Sequence, residues 1–481
     1  MFSLSKSSYL KFEQCEKAFY LNKHFSYLKD KIDIDKNLTF NRGHAIGSFA
    51  KELFPGGVDA SAVTKNLAEC ALLTTQLIKE KRTIYEATFV FDGVLVMVDI
   101  LDYTNDEWKA YEVKSSLKVS PIYLMDACLQ YYVVKNILHD LNDFFLVTLN
   151  GEYVLQDKID PKAIFKKRSI AKDAEKNLVY FKEKIEAAKH CTDRNSVPEK
   201  SIGTHCFKPY TCDFYGHCWK NVNESDSVFQ LPQVNKERLF EWYHSGKKNI
   251  ADLVNSDLES DLLKKVKKAF KENKEFFDKR VLAELLERIK EPVISMDMEI
   301  WAPAIPQMKG TRPFQQIPFL FCLYNENTSL HFVTDHLQDG RRSFAEELIR
   351  LTSQYKSILV YDKAMEEQSI AYLSQLFPDL EADLTNLNKN MIDISILFKN
   401  LHYYHPAFQN NFSLKSIAKV LAPEVNFDGI KSGLEAMSYF EKLRATENPI
   451  ERELISNDII SYCYNDVISV NGIYQSLQKL Q

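Results

Sequence analysis

The chain has 481 residues, 45% of them hydrophobic and 26% charged, which suits two or three domains of ordinary globular composition. The net charge is −5, mostly from acids after residue 290, which excludes a strongly basic nucleic-acid-binding surface. No apolar run approaches the roughly 20 residues of a membrane span, and the N-terminus lacks a signal-peptide core. We therefore expect a cytoplasmic protein without a membrane partner, whose nine cysteines are thiols or metal ligands.

The first third of the chain mixes helix and strand patterns. The segment TIYEATFVFDGVLVMVDIL (83–101) predicts two strands joined at an Asp-Gly turn. A third short strand follows and ends in Glu-Val-Lys, and SPIYLMDACLQYYVVKNIL (120–138) then predicts a buried helix.

Two carboxylates and a lysine lie at the ends of these predicted strands. Glu112 and Lys114 share one face of a strand because they are two residues apart, and Asp99 is on the neighbouring strand. Converging carboxylates form a hard oxygen site for Mg²⁺ or Mn²⁺, and the lysine can orient water or offset transition-state charge. The alternative is three solvated side chains, because a Glu-x-Lys triplet is common by chance.

The arrangement Asp99, then Glu112-x-Lys114, resembles the catalytic motif of PD-(D/E)XK nucleases. The resemblance implies a restriction-endonuclease-like fold for this part of the chain. It also implies that Asp99 and Glu112 hold Mg²⁺ or Mn²⁺ and that Lys114 is the catalytic lysine.

The same resemblance implies two supporting residues. Glu86, one strand earlier, joins the carboxylate set, and Gln130, on the following helix, matches the glutamine of a RecB-type Gln-x-x-x-Tyr motif, although the fourth following residue is Val134. His44 is left out of the ligand set, because the position that aligns with the family's histidine is Gly47.

Three cysteines then follow at equal spacing in HCFKPYTCDFYGHCW (205–219). Cys206, Cys212 and Cys218 have five residues between each pair, and such dense thiols in a cytoplasmic chain indicate a metal site. Cys15, far upstream in FEQCEKAFYL, is the best candidate for a fourth ligand.

This split of one early and three late cysteines resembles the iron–sulfur subfamily of PD-(D/E)XK nucleases, which includes CRISPR-associated spacer-acquisition nucleases and helicase-linked end-processing nucleases. The resemblance implies a 4Fe-4S cluster that joins the two ends of the domain. The usual relative has two residues, not five, between the first two late cysteines. A Zn²⁺ site that adds His205 or His217 to the late cysteines is the alternative, and four unrelated buried thiols is a third interpretation.

Acidic pairs return in the last part of the chain, where strand and helix signals alternate. In VISMDMEIWAP (293–303), Asp297 and Glu299 share a strand face. In SILVYDKAMEEQSIAYL (357–373), Asp362 and Glu366 lie where a strand runs into a helix. Surface acids on an acidic domain are the alternative interpretation of any single pair.

A later helix, NDIISYCYNDVISVNGIY (457–474), carries Tyr462 and Asp466 on one side at i and i+4. The order of these three motifs resembles the DEDD exonucleases of the DnaQ-type, RNase H-like fold. The resemblance implies that Tyr462 orients water, with Asp362 as a substitute for Glu366. The Mg²⁺ or Mn²⁺ ligands it implies are Asp297, Glu299, Glu366 and Asp466, which can hold two ions about 4 Å apart.

We therefore expect a multidomain α/β protein. The predicted domains are a PD-(D/E)XK-like nuclease domain with a Cys cluster (1–225), a helical connector (226–290) and a DnaQ-like, RNase H-like exonuclease domain (291–481). Nearly the whole chain resembles a bacterial family that joins these two halves, also through MKGTRPFQQIPFLFCLY (308–324) and LHYYHPAFQNNFSLKSIAKVLAPE (401–424).

The resemblance implies a metal-dependent nuclease with two catalytic centres that acts on nucleic acid. Single-stranded DNA ends are the favoured substrate, because a weakly charged protein would gain from stacking bases on some of its 24 tyrosines and 31 phenylalanines. Two alternatives stay open. The chain would be an accessory nucleic-acid-binding subunit of a defence or repair complex with one or both centres inactive, or its C-terminal domain would be an RNA exonuclease.

Overall fold

The computed structural model describes residues 4–222, 225–334 and 338–480. It is a mixed α/β structure that divides into two compact units. Unit 1 contains Met1–Asn221 and Pro303–Gln315, and unit 2 contains Val222–Ala302 and Gln316–Gln481. Residues 226–290, for which the sequence predicts a connector, therefore lie inside unit 2. Among the described residues, no helix has the length and apolar character needed to cross a membrane.

Unit 1 is built on a seven-stranded mixed sheet of order β2-β3-β4-β5-β6-β7, with β1 paired to β4. Strands β3, β4 and β5 are antiparallel neighbours, whereas β5 and β6 run parallel. The strands are β1 (Leu4–Ser5), β2 (Val58–Asp59), β3 (Ile84–Phe91), β4 (Val94–Thr104), β5 (Glu107–Lys114), β6 (Leu141–Leu149) and β7 (Phe165–Ser169).

Helices cover this sheet and connect its strands. They are α1 (Lys6–Gln14), α2 (Glu16–His24), α3 (Ile34–Ala50), α4 (Ala60–Val63), α5 (Leu67–Lys79), α6 (Pro121–Lys135), α7 (Pro161–Ile164), α8 (Ala171–Glu175), α9 (Leu178–Thr192) and α10 (Tyr215–Trp219). Parallel neighbours need a crossover connection, and α6 supplies it between β5 and β6.

Local sequence signals explain the two elements that frame the first candidate site. The β3–β4 hairpin turns at Asp92 and Gly93, both at positive φ, which is the backbone that a tight two-residue hairpin requires. Helix α6 starts with Ser120, whose side chain accepts the Tyr123 N–H, and has Pro121 in its first turn. The predicted strand pair and the predicted buried helix are both confirmed.

The segment Pro303–Gln315 belongs to the core of unit 1 although it lies between two strands of unit 2. Ala304 is buried in a cluster with Tyr85 and Tyr111. The backbones of Leu155 and Gly310–Thr311 exchange two hydrogen bonds, of 2.8 and 2.9 Å. This segment is therefore held by both apolar packing and main-chain pairing.

Unit 2 is built on a five-stranded sheet of order β11-β10-β9-β12-β13, with a separate β8–β14 pair. Strand β9 is the central strand of this sheet: it is antiparallel to β10 and parallel to β12. The strands are β8 (Phe276–Phe277), β9 (Val293–Trp301), β10 (Ile317–Asn325), β11 (Thr328–Val333), β12 (Ser357–Val360), β13 (Met391–Asp393) and β14 (Tyr403–Tyr404).

Two apolar clusters, one centred on Phe321 and Phe344 and one that includes Phe398 and Val470, form the core of unit 2. The helices are α11 (Lys236–His244), α12 (Asp261–Glu272), α13 (Lys279–Arg288), α14 (Arg341–Thr352), α15 (Ala364–Leu376), α16 (Glu381–Asn390), α17 (Ile396–Lys399), α18 (Leu414–Leu421), α19 (Gly433–Ala445) and α20 (Pro449–Gln478).

Candidate functional site

Strand register in unit 1 aligns three carboxylate residues across three strands. The pairs Tyr85–Ile100 and Ala87–Val98 leave Glu86 opposite Asp99. The pair Ile100–Tyr111 likewise leaves Asp99 opposite Glu112. Residues directly opposite on neighbouring strands are close in space, so the predicted strand-end acids form one row.

Asp99 is fixed in this row by the backbone of the next strand. Its Oδ2 accepts the N–H of Val113 at 2.6 Å. Burial, and then the charge of Glu112, raise the pKa of Asp99 well above its usual value. A carboxyl group in this position gains from a cation that offsets the neighbouring negative charge.

Glu112 is paired with two ammonium groups. Lys114 Nζ donates to Glu112 Oε1 at 2.7 Å and to Asp126 Oδ2 at 2.6 Å. Lys6 Nζ donates to the same Oε1 at 2.8 Å and lies 3.4 Å from Asp126 Oδ1. Burial opposes ionisation of Glu112, but Lys114 and Lys6 lower its pKa to about 2.

Two members of this cluster, Lys6 and Asp126, were missed by the sequence reasoning. Lys6 opens α1 and reaches Glu112 over a separation of 106 residues, and the sequence holds no local signal for such a contact. Asp126 precedes Gln130 by four residues on α6, and that spacing puts both on one helix face. It was therefore visible in principle.

The supporting residues take different places. Gln130 is fully buried, and its Nε2 donates to Asp126 Oδ1 at 3.1 Å, so it holds Asp126 in position. Glu86 has a positive φ of 54° and is partly buried. Burial raises its pKa, and the charge of Lys51 opposes that shift. His44 is exposed on α3.

A divalent cation fits this row by the chemistry of its donors. The Glu112 Oε2 atom is buried without a hydrogen-bond partner in the described part of the chain, and the Asp99 carboxyl lies beside it. Mg²⁺ and Mn²⁺ prefer such carboxylate oxygens. Asp99 and Glu112 are therefore the residues of unit 1 that would hold the ion.

The four predicted thiols converge elsewhere in unit 1. Cys15 lies between α1 and α2, Cys218 is on α10, and all four line one small cavity of about 20 Å³. The Cys212 N–H donates to the Cys206 carbonyl at 2.8 Å. Burial raises the pKa of Cys212 to about 11, the Phe214 N–H opposes that shift, and the other three thiols add to it.

The spacing of these thiols bears on which group they would hold. Thiolates around one tetrahedral Zn²⁺ would lie roughly 3.8 Å apart, given a Zn–S distance of about 2.3 Å. In the described residues, no three ligand atoms from Cys15, the late cysteines and the neighbouring histidines lie within 4.8 Å of one another. In the described residues the thiols are therefore not gathered at the spacing of a single ion.

Unit 2 holds a second acidic group, centred on β9. The Asp297 and Glu299 carboxylates and the Cys463 thiol have ligand atoms within 4.8 Å of one another. Cys463 is on α20, where Tyr462 and Asp466 lie one turn apart. The Cys463 Sγ is 3.5 Å from Asp297 Oδ2, a contact that the sequence analysis did not predict.

Mutual repulsion marks the predicted acids as one group. Burial, and then the charges of Asp466, Glu299 and Glu366, raise the pKa of Asp297. Burial and Asp466 likewise raise the pKa of Glu299, against the opposing charge of Lys415. Burial raises the pKa of Asp466 to about 6 and that of Glu366 to about 7.

Glu366, rather than Asp362, is the buried acid after β12. Glu366 is 5% exposed. The Asp362 carboxylate is 62% exposed and pairs with Lys399 Nζ at 2.5 Å. Asp362 also has a positive φ of 65°, and its N–H donates to Asp393, so it shapes the turn that leads into α15.

Two carboxylate oxygens of this group have unmet bonding capacity. Asp466 Oδ1 and Glu366 Oε2 are buried without a hydrogen-bond partner in the described ranges. An unpaired buried carboxylate oxygen is costly unless a cation completes it. The donor set of Asp297, Glu299, Glu366 and Asp466 therefore fits Mg²⁺ or Mn²⁺.

Lys415, on α18, is a cation of this second site that the sequence reasoning did not identify. Its Nζ lies 4.8 Å from the Tyr462 ring centroid and donates to the Lys431 carbonyl at 2.8 Å. Burial, and then Glu299 and Asp466, raise the pKa of Tyr462. Its hydroxyl therefore remains protonated beside the acids.

Comparison with known proteins identifies one family model and one structure. Residues 294–413 match the family described as "Domain of unknown function (DUF2779)", a range that includes Asp297, Glu299 and Glu366. No curated protein matches the chain.

The solved structure of the family B DNA polymerase from the hyperthermophilic archaeon Pyrobaculum calidifontis is similar at a TM-score of 0.25 and 13% identity. The match covers 39% of this chain and 24% of the polymerase, so the chain spans about a quarter of the polymerase's length. A similarity at that TM-score does not establish a common fold.

Proposed function

We propose that the protein is a metal-dependent nuclease that hydrolyses phosphodiester bonds at two centres, one in each unit. The observation that carries the proposal is the group of four carboxylates in unit 2, of which Glu299, Glu366 and Asp466 are buried and Asp297 is half-buried. Burial raises the pKa of each, and the charges of the other acids add to that shift for Asp297 and Glu299. Two of their oxygens have no partner in the described part of the chain, so the group requires cations.

In unit 2 we assign Asp297, Glu299, Glu366 and Asp466 to the divalent ions of a DEDD-type centre. When bound, Mg²⁺ or Mn²⁺ would lower the pKa of water and offset the charge that develops on phosphate oxygens. Acids from a central strand, from the residues after β12 and from a late helix support the RNase H-like, DnaQ-type fold.

Tyr462 and Lys415 complete this centre. The protonated Tyr462 hydroxyl, next to Glu299 and Asp466, would orient the attacking water. Lys415 is held by the Lys431 carbonyl and would contact a phosphate oxygen of the substrate. Neither residue is a base, because the tyrosine stays protonated and the lysine is a cation.

In unit 1 we assign Asp99 and Glu112 to a divalent ion and Lys114 to the substrate phosphate, as in PD-(D/E)XK nucleases. Burial opposes the charge of Lys114, but Glu112 and Asp126 raise its pKa. The ammonium therefore stays protonated, and its role is to offset negative charge in the transition state.

The four thiols would hold a 4Fe-4S cluster. Cys15 follows α1, which begins with Lys6, and the other three cysteines follow α9. The cluster would therefore join the N-terminal helices to the segment that follows α9. The alternative of Zn²⁺ with His205 or His217 predicts a colourless protein.

The test is digestion of end-labelled single-stranded DNA and RNA by the full chain, with Mg²⁺ or Mn²⁺ and with chelator. We expect Lys114→Ala and Asp297→Ala each to remove one of two cleavage activities, by 100-fold or more, and the double variant to remove both. If neither variant changes cutting, the assignment of both centres is wrong. The RNA arm tests the proposal of an RNA exonuclease in unit 2.

A second candidate function is an accessory nucleic-acid-binding subunit of a defence or repair complex. The observation that favours it is that two ammonium groups already occupy Glu112 Oε1, which suits a unit 1 that binds without cutting. It predicts that the wild-type chain binds single strands in the presence of Mg²⁺ and that Lys114→Ala weakens binding but changes no cleavage.

A further inference from the structure

A short loop of unit 1 connects the first two late cysteines, and the nuclease proposal gives this loop no function. The loop between Cys206 and Cys212 carries Lys208, Pro209 and Tyr210. Tyr210 is 56% exposed, so its ring is open to a ligand.

This loop is fixed to α1 rather than hanging free. The Gln14 Nε2 atom donates to the His205 carbonyl at 2.9 Å and to the Tyr210 carbonyl at 2.7 Å. Because Gln14 is the last residue of α1, the loop and the helix that begins with Lys6 form one structural piece. The backbone that carries the Tyr210 ring is therefore held in a defined place.

The loop forms one wall of a groove of about 810 Å³. Lys208, Pro209 and Tyr210 line one side, and Pro121, Tyr123 and Met125, from the start of α6, line the other. Most of the lining surface is apolar or aromatic, with Lys208 as its cation and Glu13 as its acid. Flat aromatic and apolar surfaces next to a lysine suit a base with its phosphate.

The groove adjoins the carboxylate row of unit 1. The Lys114 Nζ atom lies 5.5 Å from the centroid of the Tyr123 ring, and the same Nζ pairs with Glu112 and Asp126. Tyr123 and Tyr210 both line this groove. A base on these rings would be next to a phosphate at Lys114.

We propose that this groove is a stacking site for unpaired bases of a single-stranded nucleic acid, with Tyr210 and Tyr123 as the stacking rings and Lys208 as a phosphate contact. The proposal rests on the nuclease function of unit 1, because it places the bases beside the phosphate that Lys114 would face. It selects single strands over duplexes, since paired bases are not available for stacking on protein rings.

The test is the affinity of the full chain for fluorescent single strands, with Ca²⁺ in place of Mg²⁺ to slow cleavage. Two strands of equal length are compared: oligothymidine and an oligomer whose sugars carry no bases. We expect Tyr210→Ala to weaken oligothymidine binding by roughly 5- to 100-fold, the range that one stacked base contributes, and to leave binding of the base-free strand within twofold.

Two further variants separate stacking from a folding defect. Tyr210→Phe keeps the ring and should keep wild-type affinity for oligothymidine. Tyr27→Ala removes another exposed tyrosine of unit 1, 78% exposed and outside the groove, and should bind both strands as wild type does. An equal loss on both strands, or no loss with Tyr210→Ala, would overturn the stacking proposal.

These outcomes are distinct from failure of the nuclease proposal. If wild type cuts nothing but Tyr210→Ala still loses base-dependent binding, the groove is a stacking site and the catalytic assignment is wrong. If Lys114→Ala removes the cleavage assigned to unit 1 while Tyr210→Ala binds oligothymidine normally, the catalytic assignment of unit 1 is supported and the stacking site is wrong.

Discussion

The charge of Glu112 is stabilised by two ammonium groups from different elements of unit 1, Lys114 on β5 and Lys6 on α1. Lys114 is on the same strand, whereas Lys6 is on α1 and is 26% exposed. Lys114 also pairs with Asp126 at 2.6 Å. Lys6 is therefore the more easily displaced of the two, and an incoming divalent ion competes with it for Glu112.

Replacement of Lys6 by methionine tests this competition. Lys6→Met removes one positive charge beside the ion site and keeps most of the side-chain volume, so we expect Mn²⁺ to bind unit 1 several-fold more tightly. Calorimetric Mn²⁺ titration of the full chain measures the effect, on an Asp297→Ala background that weakens the second site. The control is Lys162→Met, at an exposed lysine on α7. Unchanged or weaker Mn²⁺ binding in Lys6→Met would show that Lys6 does not compete.

The pKa of Glu366 predicts how the metal-free protein responds to pH. A carboxyl group with a folded-state pKa of about 7 binds a proton that the unfolded chain, with a pKa near 4.5, has already lost. The free energy of unfolding therefore falls as pH rises from about 4.5 to 7. In chelator, we expect Glu366→Gln to remove about 2–3 kcal/mol of this fall, from 1.36 kcal/mol per pKa unit.

Urea unfolding at pH 5 and pH 8, followed by tryptophan fluorescence, measures this difference. Glu381→Gln, at an exposed acid on α16, is the control and should keep the wild-type pH dependence. Mn²⁺ at pH 8 should restore the stability of wild type more than that of Glu366→Gln. An unchanged pH dependence in Glu366→Gln would contradict the raised pKa.

At the scale of elements, α1 connects the carboxylate row to the thiols. Its first residue, Lys6, pairs with Glu112, and its last, Gln14, holds the loop between Cys206 and Cys212. Cys15 follows directly. This nine-residue helix therefore contacts Glu112 at one end, holds the loop between Cys206 and Cys212 at the other, and leads into Cys15. These features are far apart in the sequence.

Loss of the Gln14 contacts should loosen that loop. Gln14→Leu removes both donations to the loop carbonyls, so we expect chymotrypsin to cut after Tyr210 several-fold faster than in wild type. The control is Gln76→Leu, because Gln76 is exposed on α5 and bonds only the surface Glu80. Equal cutting rates in the two variants would show that Gln14 does not hold the loop. Peptide mapping by mass spectrometry gives the site and rate.

Elements with local signals were predictable, and contacts between distant elements were not. The β3–β4 hairpin, α6, β9 and the helix with Tyr462 and Asp466 all follow from turn residues, caps and periodicity, and the structure confirms them. The acids were found because their spacing of two or four residues places them on one face. Lys6 and Lys415 were missed, because no local sequence pattern indicates which distant carboxylate a lysine near the start of a helix will contact.

At the scale of the whole molecule, each unit carries its own set of charged groups, and the thiols belong to unit 1 alone. Loss of the thiol-bound group should therefore affect one unit. We expect Cys15→Ser, purified without oxygen, to lose iron, labile sulfide and the absorbance near 400 nm. Unit 1 should unfold at lower denaturant, while cleavage that depends on Asp297 stays within twofold of wild type.

Iron and sulfide analysis, absorbance and the two cleavage assays measure these effects. Cys70→Ser, at a buried cysteine on α5 outside the thiol group, is the control and should keep the iron. Iron retained in Cys15→Ser, or a colourless wild-type protein that contains zinc, would refute the cluster assignment.

Because the segment Pro303–Gln315 belongs to unit 1, no single division of the chain separates unit 1 from unit 2. A polypeptide that stops at residue 221 would lack Ala304 and Thr311, and would leave the apolar patch around Tyr85 and Tyr111 open to water. Such a fragment should precipitate, and adding the missing strip as a peptide should rescue it. An N-terminal half transferred to another gene without that strip should fail to fold for the same reason.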